Sequence, residues 1–333
     1  KVDETSLSKP RAVAVPVWNG ETLPDKTILL HSEQGLGDML QFSRFIPLVA
    51  QRFRHVVVEV QKPLVPLFAA SYPQATVIAK GDDAPAVDVH CPLMSLPPRL
   101  GITLENLPQL TGQPYLAADE ERIAAWKQKL DTRPGRRIAF TWQGNPKAKV
   151  DRGRSMPLAT LIPLLMLPGV RFISLQKNDG AEQIEALPPE LRSRIEVLGD
   201  EFDNGPGAFL DTIAVMKNCD MVLTTDTAIA HIAGGIGVPT WLMLRKTPDW
   251  RWMLQGEGSP WYPTMRLFRQ QTDGDWTTVI AQIHAALAQP SATQKALVLH
   301  RAGKLDEAEQ AYKLALSENA NDITARHYLG VVA

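Results

Sequence analysis

Two α/β units, each built on a parallel sheet and facing the other across a cleft, are the fold class that this sequence predicts. Three observations carry it. Short buried-strand patterns alternate with helical ones from Thr27 onward. The alternation stops at the charged helical stretch Asp119–Leu130 and the breaker Arg133-Pro134-Gly135, then restarts at Arg137. Finally, 333 residues leave room for two cores at roughly 150 residues per domain. The expected units are residues 1–133 and 134–288, followed by a helical tail, 289–333.

Residues 1–25 carry Pro10, Pro16, Pro24 and Gly20 and predict an irregular lead-in with one extended piece near Val13–Trp18. Thr27–His31 is an apolar run too short for a helix and gives the first strand. The glycine turn Gln34–Asp38 follows, then a helical pattern through Met39, Phe42, Phe45 and Ile46. His55–Val60 is the next strand, a helix lies near Pro63–Ser71, and the strands Ala75–Ile78 and Val87–Val89 complete the first unit. In the second unit Arg137–Trp142, Val170–Leu175, Ile195–Leu198, Met221–Thr224, Pro239–Leu244 and Met265–Phe268 predict strands. Helices are expected at Leu158–Leu167, Ala208–Asn218, Thr227–Ile236 and Trp276–Ala288. Ligands of such sheets bind beyond the carboxyl ends of the strands, here between the units.

Thirty-five Lys and Arg against 36 Asp and Glu leave a net charge of −1, so no global basic field recruits nucleic acid, and any anion site must be local. Hydrophobic residues at 44% and charged residues at 21% exclude disorder and fibrous architectures. Cys91 and Cys219 cannot build a disulfide framework or a cysteine zinc site, which fits a reducing, cytoplasmic setting. No run approaches 18 apolar residues, so no transmembrane segment is expected, and no signal peptide is evident.

Three strand ends carry candidate chemistry. Gly35 and Gly37 allow close backbone approach to a ligand, and Asp38 sits at the start of the helix they open, either as its cap or as a carboxylate facing the cleft. The turn fails the dinucleotide fingerprint, because Leu40 stands where a third glycine belongs. Thr225, Asp226 and Thr227 end a buried strand and begin a helix of small residues, whose first amides suit a diphosphate without a metal. His231 lies further along that helix, as a core histidine or a donor contact. The loop after Trp142 holds Lys147, Lys149, Arg152 and Arg154, and Gln176-Lys177 ends the neighbouring strand; each is a surface feature or a phosphate grip. Metal ligation has no support: the seven histidines are scattered, and no Asp-x-Asp pair ends a strand. The nucleophile-elbow and P-loop patterns are also missing.

The strand and Gly35-Leu36-Gly37-Asp38 turn, Arg44-Phe45-Ile46-Pro47, and the segment Asp226–Pro239 together resemble the heptosyltransferase-type glycosyltransferases of the GT-B fold, two Rossmann-like domains facing a cleft. With Asp249-Trp250-Arg251-Trp252 and Pro260-Trp261-Tyr262-Pro263, the chain is similar to bacterial tetratricopeptide-repeat proteins that carry such a domain. The resemblance covers about residues 18–288. It implies that Asp38 is the catalytic base, that Asp226, Thr227 and His231 contact the donor, and that Lys147 or Arg154 grips its diphosphate. The implied activity is inverting, metal-independent transfer of a sugar from a nucleotide-diphosphate donor to a glycan, lipid or protein acceptor, with no cofactor beyond that donor. A non-catalytic nucleotide-binding scaffold and a sugar-nucleotide epimerase are the competing readings.

The tail shows no strand pattern. Leu299–Gly303, Ala308, Tyr312 and Ala315-Leu316 match the second half of a tetratricopeptide repeat, and Tyr328-Leu329-Gly330 matches the start of another. Such a fragment cannot close a solenoid core, so it is expected to belong to a longer array or to dock on a protein partner. Four tryptophans, at 241, 250, 252 and 261, fall within 21 residues, and those of Asp249–Trp252 and Trp261-Tyr262 either wall the base or sugar pocket or pin the helix Trp276–Ala288 across the two units.

Overall fold

The computed structural model describes residues 13–148, 151–289, 292–318 and 323–332. It is an α/β protein of two parallel sheets. The first comprises β1 (Leu23–His31), β2 (Phe53–Val60), β3 (Thr76–Ala79) and β4 (Val89–Pro92), in the order β3-β2-β1-β4. The second comprises β5 (Arg136–Phe140), β6 (Val170–Ser174), β7 (Ile195–Val197), β8 (Met221–Thr225), β9 (Thr240–Leu244) and β10 (Met265–Arg269), in the order β10-β9-β8-β5-β6-β7. The principal helices are α1 (Leu36–Phe42), α2 (Glu120–Leu130), α3 (Leu210–Lys217), α4 (Ala228–Gly235) and α5 (Trp276–Ala288). The tail adds α6 (Ala292–Arg301), α7 (Leu305–Glu318) and α8 (Ile323–Val332).

Several boundaries differ from expectation for local reasons. β4 begins at Val89 instead of Val87 because Leu30 pairs with Cys91 and His31 with Pro92, so the polar-looking end of the segment is its paired part. The helix expected over Leu158–Leu167 splits into a 3₁₀ turn, Leu158–Leu161, and a single α-turn, Ile162–Leu165. Pro163 restarts the helix, and Pro168-Gly169 ends it. The extended piece near Val13–Trp18 reduces to a bridge between Val17 and His90, with Trp18 buried behind it.

Strand alternation sorts the second sheet into two faces. Ile138, Phe140, Phe172, Met221, Leu223 and Met243 pack with α5 in one core. Their neighbours Ala139, Ile173, Val222, Leu242 and Leu244 point the other way and join Leu30, Phe42, Phe45 and Val58 of the first unit in a second, larger core. That apolar core therefore runs unbroken from one sheet to the other.

The boundary expected at residue 133 does not coincide with a change of packing partner. The Tyr115 and Leu116 N–H groups donate to the Gly235 carbonyl, at 2.8 and 3.2 Å. Asp119 caps α2 by accepting from the N–H groups of Glu121 and Arg122. From there α2 lies on α3 of the second unit, where the Trp126 indole N–H and the Arg122 guanidinium both donate to Asp211 Oδ1, at 3.0 and 2.8 Å. The segment from about Pro114 bonds to both units, since the Ala117 N–H donates to Ser71 Oγ of the first at 2.9 Å, before α2 settles on α3 of the second. The tail helices have their own apolar cluster, formed by Ala296, Ala308, Tyr312, Ala315 and Ala325.

The seam between units is a crossing of α1 and α4, and glycines set its closeness. A β-carbon at Gly37 would stand 2.8 Å from the His231 ring, and one at Gly234 would stand 2.2 Å from the Tyr262 ring. Gly234→Ala should gain about 1 kcal/mol in helix propensity and lose more than that to overpacking. Urea denaturation is expected to show a net loss of at least about 1 kcal/mol, and an unchanged midpoint would contradict the packing described.

Candidate functional site

Polar groups from both units collect where α1 and α4 meet. Gly35 is the N-cap of α1, and Asp38 reaches back so that its Oδ2 accepts the Gly35 N–H at 3.0 Å, a capping interaction that fixes the carboxylate. Its other oxygen accepts from Arg251 Nη2 of the second unit at 2.7 Å. Asp38 thus caps the helix, and its second oxygen pairs with a cation of the other unit.

Arg251 belongs to a 3₁₀ turn, Trp250–Trp252, whose N-cap is Asp249. Asp249 Oδ1 accepts the Arg251 backbone N–H at 3.2 Å and lies 3.0 Å from its Nε. The guanidinium thus bridges two carboxylates while only 9% exposed. Asp226 follows β8 a short distance away. Burial pushes its carboxyl above the usual range, and the charges of Arg154 and Arg251 oppose that rise. Thr225 is fully buried at the strand end, and Thr227 is the N-cap of α4.

His231 sits one turn into α4, 2% exposed, with Nδ1 2.8 Å from the Tyr262 hydroxyl and its ring stacked on Trp252 at 5.4 Å. Burial first, then Arg251, Arg44 and Arg154, holds its imidazole well below the usual histidine range, so the ring is neutral. It is a core histidine of the seam, and it places Gly37 of α1 against α4. Beside it Arg44 donates to the Trp261 carbonyl at 2.6 Å, to the Gln41 carbonyl at 3.0 Å and to the Tyr115 hydroxyl at 3.2 Å. Its guanidinium also lies 4.6 Å and 4.5 Å from the ring centres of Tyr115 and Tyr262.

The other predicted residues divide. Arg154 folds back so that its Nε donates to Asp151 Oδ1 at 3.1 Å, leaving its charge near Asp226 and His231. Lys147 stands exposed in the turn before it, with its backbone N–H bonded to Asn145 Oδ1. Lys149 lies outside the described residues. Gln176 is a stitching residue: its Oε1 accepts from the Trp142 and Gln143 N–H groups, and its Nε2 donates to the Gln143 and Asp179 carbonyls. The Lys177 ammonium donates to the Phe202 and Asp203 carbonyls, at 2.5 and 2.6 Å. Those two side chains are committed to loop carbonyls and amides, which a strand-end position alone does not reveal.

Arg251, Arg44 and Glu33 are groups of this region that their local sequence does not single out, although Arg251 lies in the segment Asp249–Trp252 and Arg44 in Arg44–Pro47. Glu33 lies just before the glycine turn, and burial together with the charge of Asp38 raises its carboxyl, while the Met94 backbone N–H opposes this. The tryptophans divide as well: Trp252 and Trp261 are buried in the seam, away from α5, while Trp250 is exposed. Two shallow surface hollows, one by Ile184 and Val197 and one by Leu48 and Leu110, lie elsewhere. Among the described residues no group of three or more His, Cys, Asp or Glu is placed to hold a metal ion, and no helix is long and apolar enough to cross a membrane.

No protein-family model matches the chain. The chain is 28% identical over 290 residues to Protein FlbA of Caulobacter vibrioides, a match covering 81% of this chain and 48% of that protein. It thus spans about half the length of that relative. Among solved structures it is similar to the glycosyl transferase family 9 protein from Veillonella parvula, with TM-score 0.58 and 12% identity, over 81% of this chain and 98% of that one. It is also similar to E. coli ADP-heptose lps heptosyltransferase II, with TM-score 0.53 and 14% identity, over 79% and 98% of the two chains. At such identities the likeness is one of fold: this chain has the two-sheet α/β architecture of those GT-B glycosyltransferase structures.

The neutral His231 gives a pH test. As pH falls through about 6.5 the unfolded chain protonates this residue while the folded ring stays neutral. Stability is complete above that pH and is lost below it, at up to about 1.4 kcal/mol per pH unit for one proton. Chemical denaturation of His231→Gln is expected to show a shallower loss between pH 7 and 5 than the parent chain, and equal slopes would contradict a neutral, buried imidazole.

Proposed function

We propose that this chain is a glycosyltransferase that moves a sugar from a nucleotide-diphosphate donor to an acceptor hydroxyl, with inversion and without a metal. The observation that carries the reading is Asp38: a carboxylate fixed at the first turn of α1 and paired across the seam with Arg251, whose charge also acts on Asp226 at the end of β8. The likeness of fold to structures titled as a glycosyl transferase and a heptosyltransferase supports it.

The parts have distinct tasks. The acceptor oxygen attacks the anomeric carbon, its proton passes to Asp38, and the electron pair of the breaking C–O bond leaves on the diphosphate. The N-terminus of α4, the Thr225 and Thr227 hydroxyls and the Arg154 cation stabilise that leaving group. Asp226 contacts the donor as a carboxyl of raised proton affinity, which lessens its repulsion of the diphosphate. The acceptor is a glycan, lipid or protein hydroxyl. The tail helices α6 to α8 are read as tetratricopeptide-type helices that bind a protein partner, and the setting is cytoplasmic.

One observation favours a second reading, a nucleotide-binding scaffold without turnover: the apolar core crosses the seam, and Arg251 occupies Asp38. Thermal-shift screening with UDP-, GDP- and ADP-sugars, followed by a donor-turnover assay, separates the two. Asp38→Asn is expected to retain nucleotide binding and to lower turnover by more than about a hundredfold, within the range of general-base loss. Undiminished turnover would remove Asp38 from the mechanism, and binding without turnover in the parent chain would favour the scaffold.

A further inference from the structure

Each Asp38 oxygen accepts one bond: Oδ2 the Gly35 N–H at 3.0 Å, and Oδ1 Arg251 Nη2 at 2.7 Å. A base must present an oxygen to the acceptor hydroxyl, and a cation paired with Oδ1 covers one approach to it and lowers its basicity. Arg251 is held differently at its two ends. Its backbone N–H donates to Asp249 Oδ1 at 3.2 Å and its Nε lies 3.0 Å from the same oxygen as an ion pair without a hydrogen bond, while the tip donates across the seam to Asp38. Asp226, at the N-terminus of α4, lies close enough for Arg251 to act on its charge. The guanidinium therefore pairs with the Asp38 carboxylate of one unit and is within electrostatic reach of Asp226, beside the N-terminus of α4, in the other.

We propose that Arg251 exchanges partners during turnover, leaving the Asp38 carboxylate for the diphosphate of the bound donor and so exposing Asp38 Oδ1 to the acceptor. This rests on the nucleotide-sugar reading above. A diphosphate offers a guanidinium more charge and more acceptor oxygens than a single carboxylate, in a geometry that suits its fork of N–H groups. The Asp249 tether keeps the pivot in place while the tip moves, and the Gly35 bond keeps Asp38 oriented once the tip has gone. Arg251 thereby acts as a positioning residue that couples donor binding to release of the base.

Competition between Asp38 and diphosphate for one guanidinium has a signature that a purely structural ion pair lacks. Calorimetric titration of the full chain with ADP, GDP and UDP, and with the corresponding nucleosides, reads it. Asp38→Asn is expected to bind the preferred diphosphate about fivefold tighter, a gain of roughly 1 kcal/mol for removing one carboxylate competitor. Arg251→Gln should bind it at least about tenfold more weakly, and adding Asp38→Asn to Arg251→Gln should restore nothing. Nucleoside affinity should be the same in all of them. Should Arg251→Gln fail to fold, Arg251→Lys keeps the buried charge, and the gain from Asp38→Asn is expected to shrink in its background. A parent chain that binds a diphosphate but shows no gain in Asp38→Asn, or a gain that persists without Arg251, overturns the exchange alone. A parent chain that binds none of the three overturns the nucleotide reading and the exchange with it.

Discussion

Gly37 and His231 meet at a separation that leaves no room for a β-carbon, and that contact sets how the two sheets stand toward each other. α1 follows β1 directly, so the glycine turn that opens it is delivered to the carboxyl edge of the first sheet. α4 follows β8 in the same way. Pressing the two helices together brings both edges, with their loops, to one place. Tyr262 then fills the space over Gly234, and its hydroxyl meets His231 Nδ1. A bulkier residue at Gly37 pushes α1 away from α4, and one at Gly234 displaces Tyr262 from its place beside His231.

Close contact of this kind carries an electrostatic demand, because Arg44 and Arg251 are both nearly covered. The two are satisfied by different means. Arg44 is enclosed by carbonyls and aromatic faces, partners with no net charge that cannot be exchanged for a ligand without opening the core. It behaves as a structural cation joining α1, the Tyr115 segment and the Trp261-Tyr262 segment. Arg251 is enclosed by carboxylates, so an incoming anion that replaces one of them keeps the guanidinium neutralised. Burial of His231 and Asp226 beside these cations is tolerated because the ring stays neutral and the carboxyl is biased toward its protonated form.

Sequence reasoning reached the architecture because the signals for it are local. Thr27–His31, His55–Val60 and Val170–Leu175 are short apolar runs bounded by turn residues, and each lies within a strand or overlaps its end by a single residue. Asp38, in the first turn of the helix after β1, and Asp226 and Thr227, just after β8, take positions that their local patterns predict. What escaped depends on contacts between residues far apart in the chain. Arg251 and Asp38 are 213 residues apart, and nothing near either one says that they pair. Gln176 and Lys177 have the right residue types in the right place, yet their side chains turn to nearby loop carbonyls and amides. The attachment of α2 to the second unit hangs on Asp211, which has no local mark beyond being an acidic residue in a helix's first turn.

An apolar core that runs through the seam does not conflict with a ligand entering there, because the two kinds of contact cost different amounts to break. Parting buried apolar surface costs roughly 25 cal/mol for each Å² returned to water, and no incoming diphosphate repays that. An ion pair that hands its cation to a phosphate loses one partner and gains another, so its net change is small. Phe42, Trp252 and Trp261 form the apolar part of the seam, whereas Asp38, Arg251, Asp226 and Arg154 line its polar edge at the strand ends. On the proposed reading, a donor entering at the polar edge displaces ion-pair contacts and leaves the crossing of α1 and α4 in place, with Asp38 still bonded to Gly35 at the start of α1.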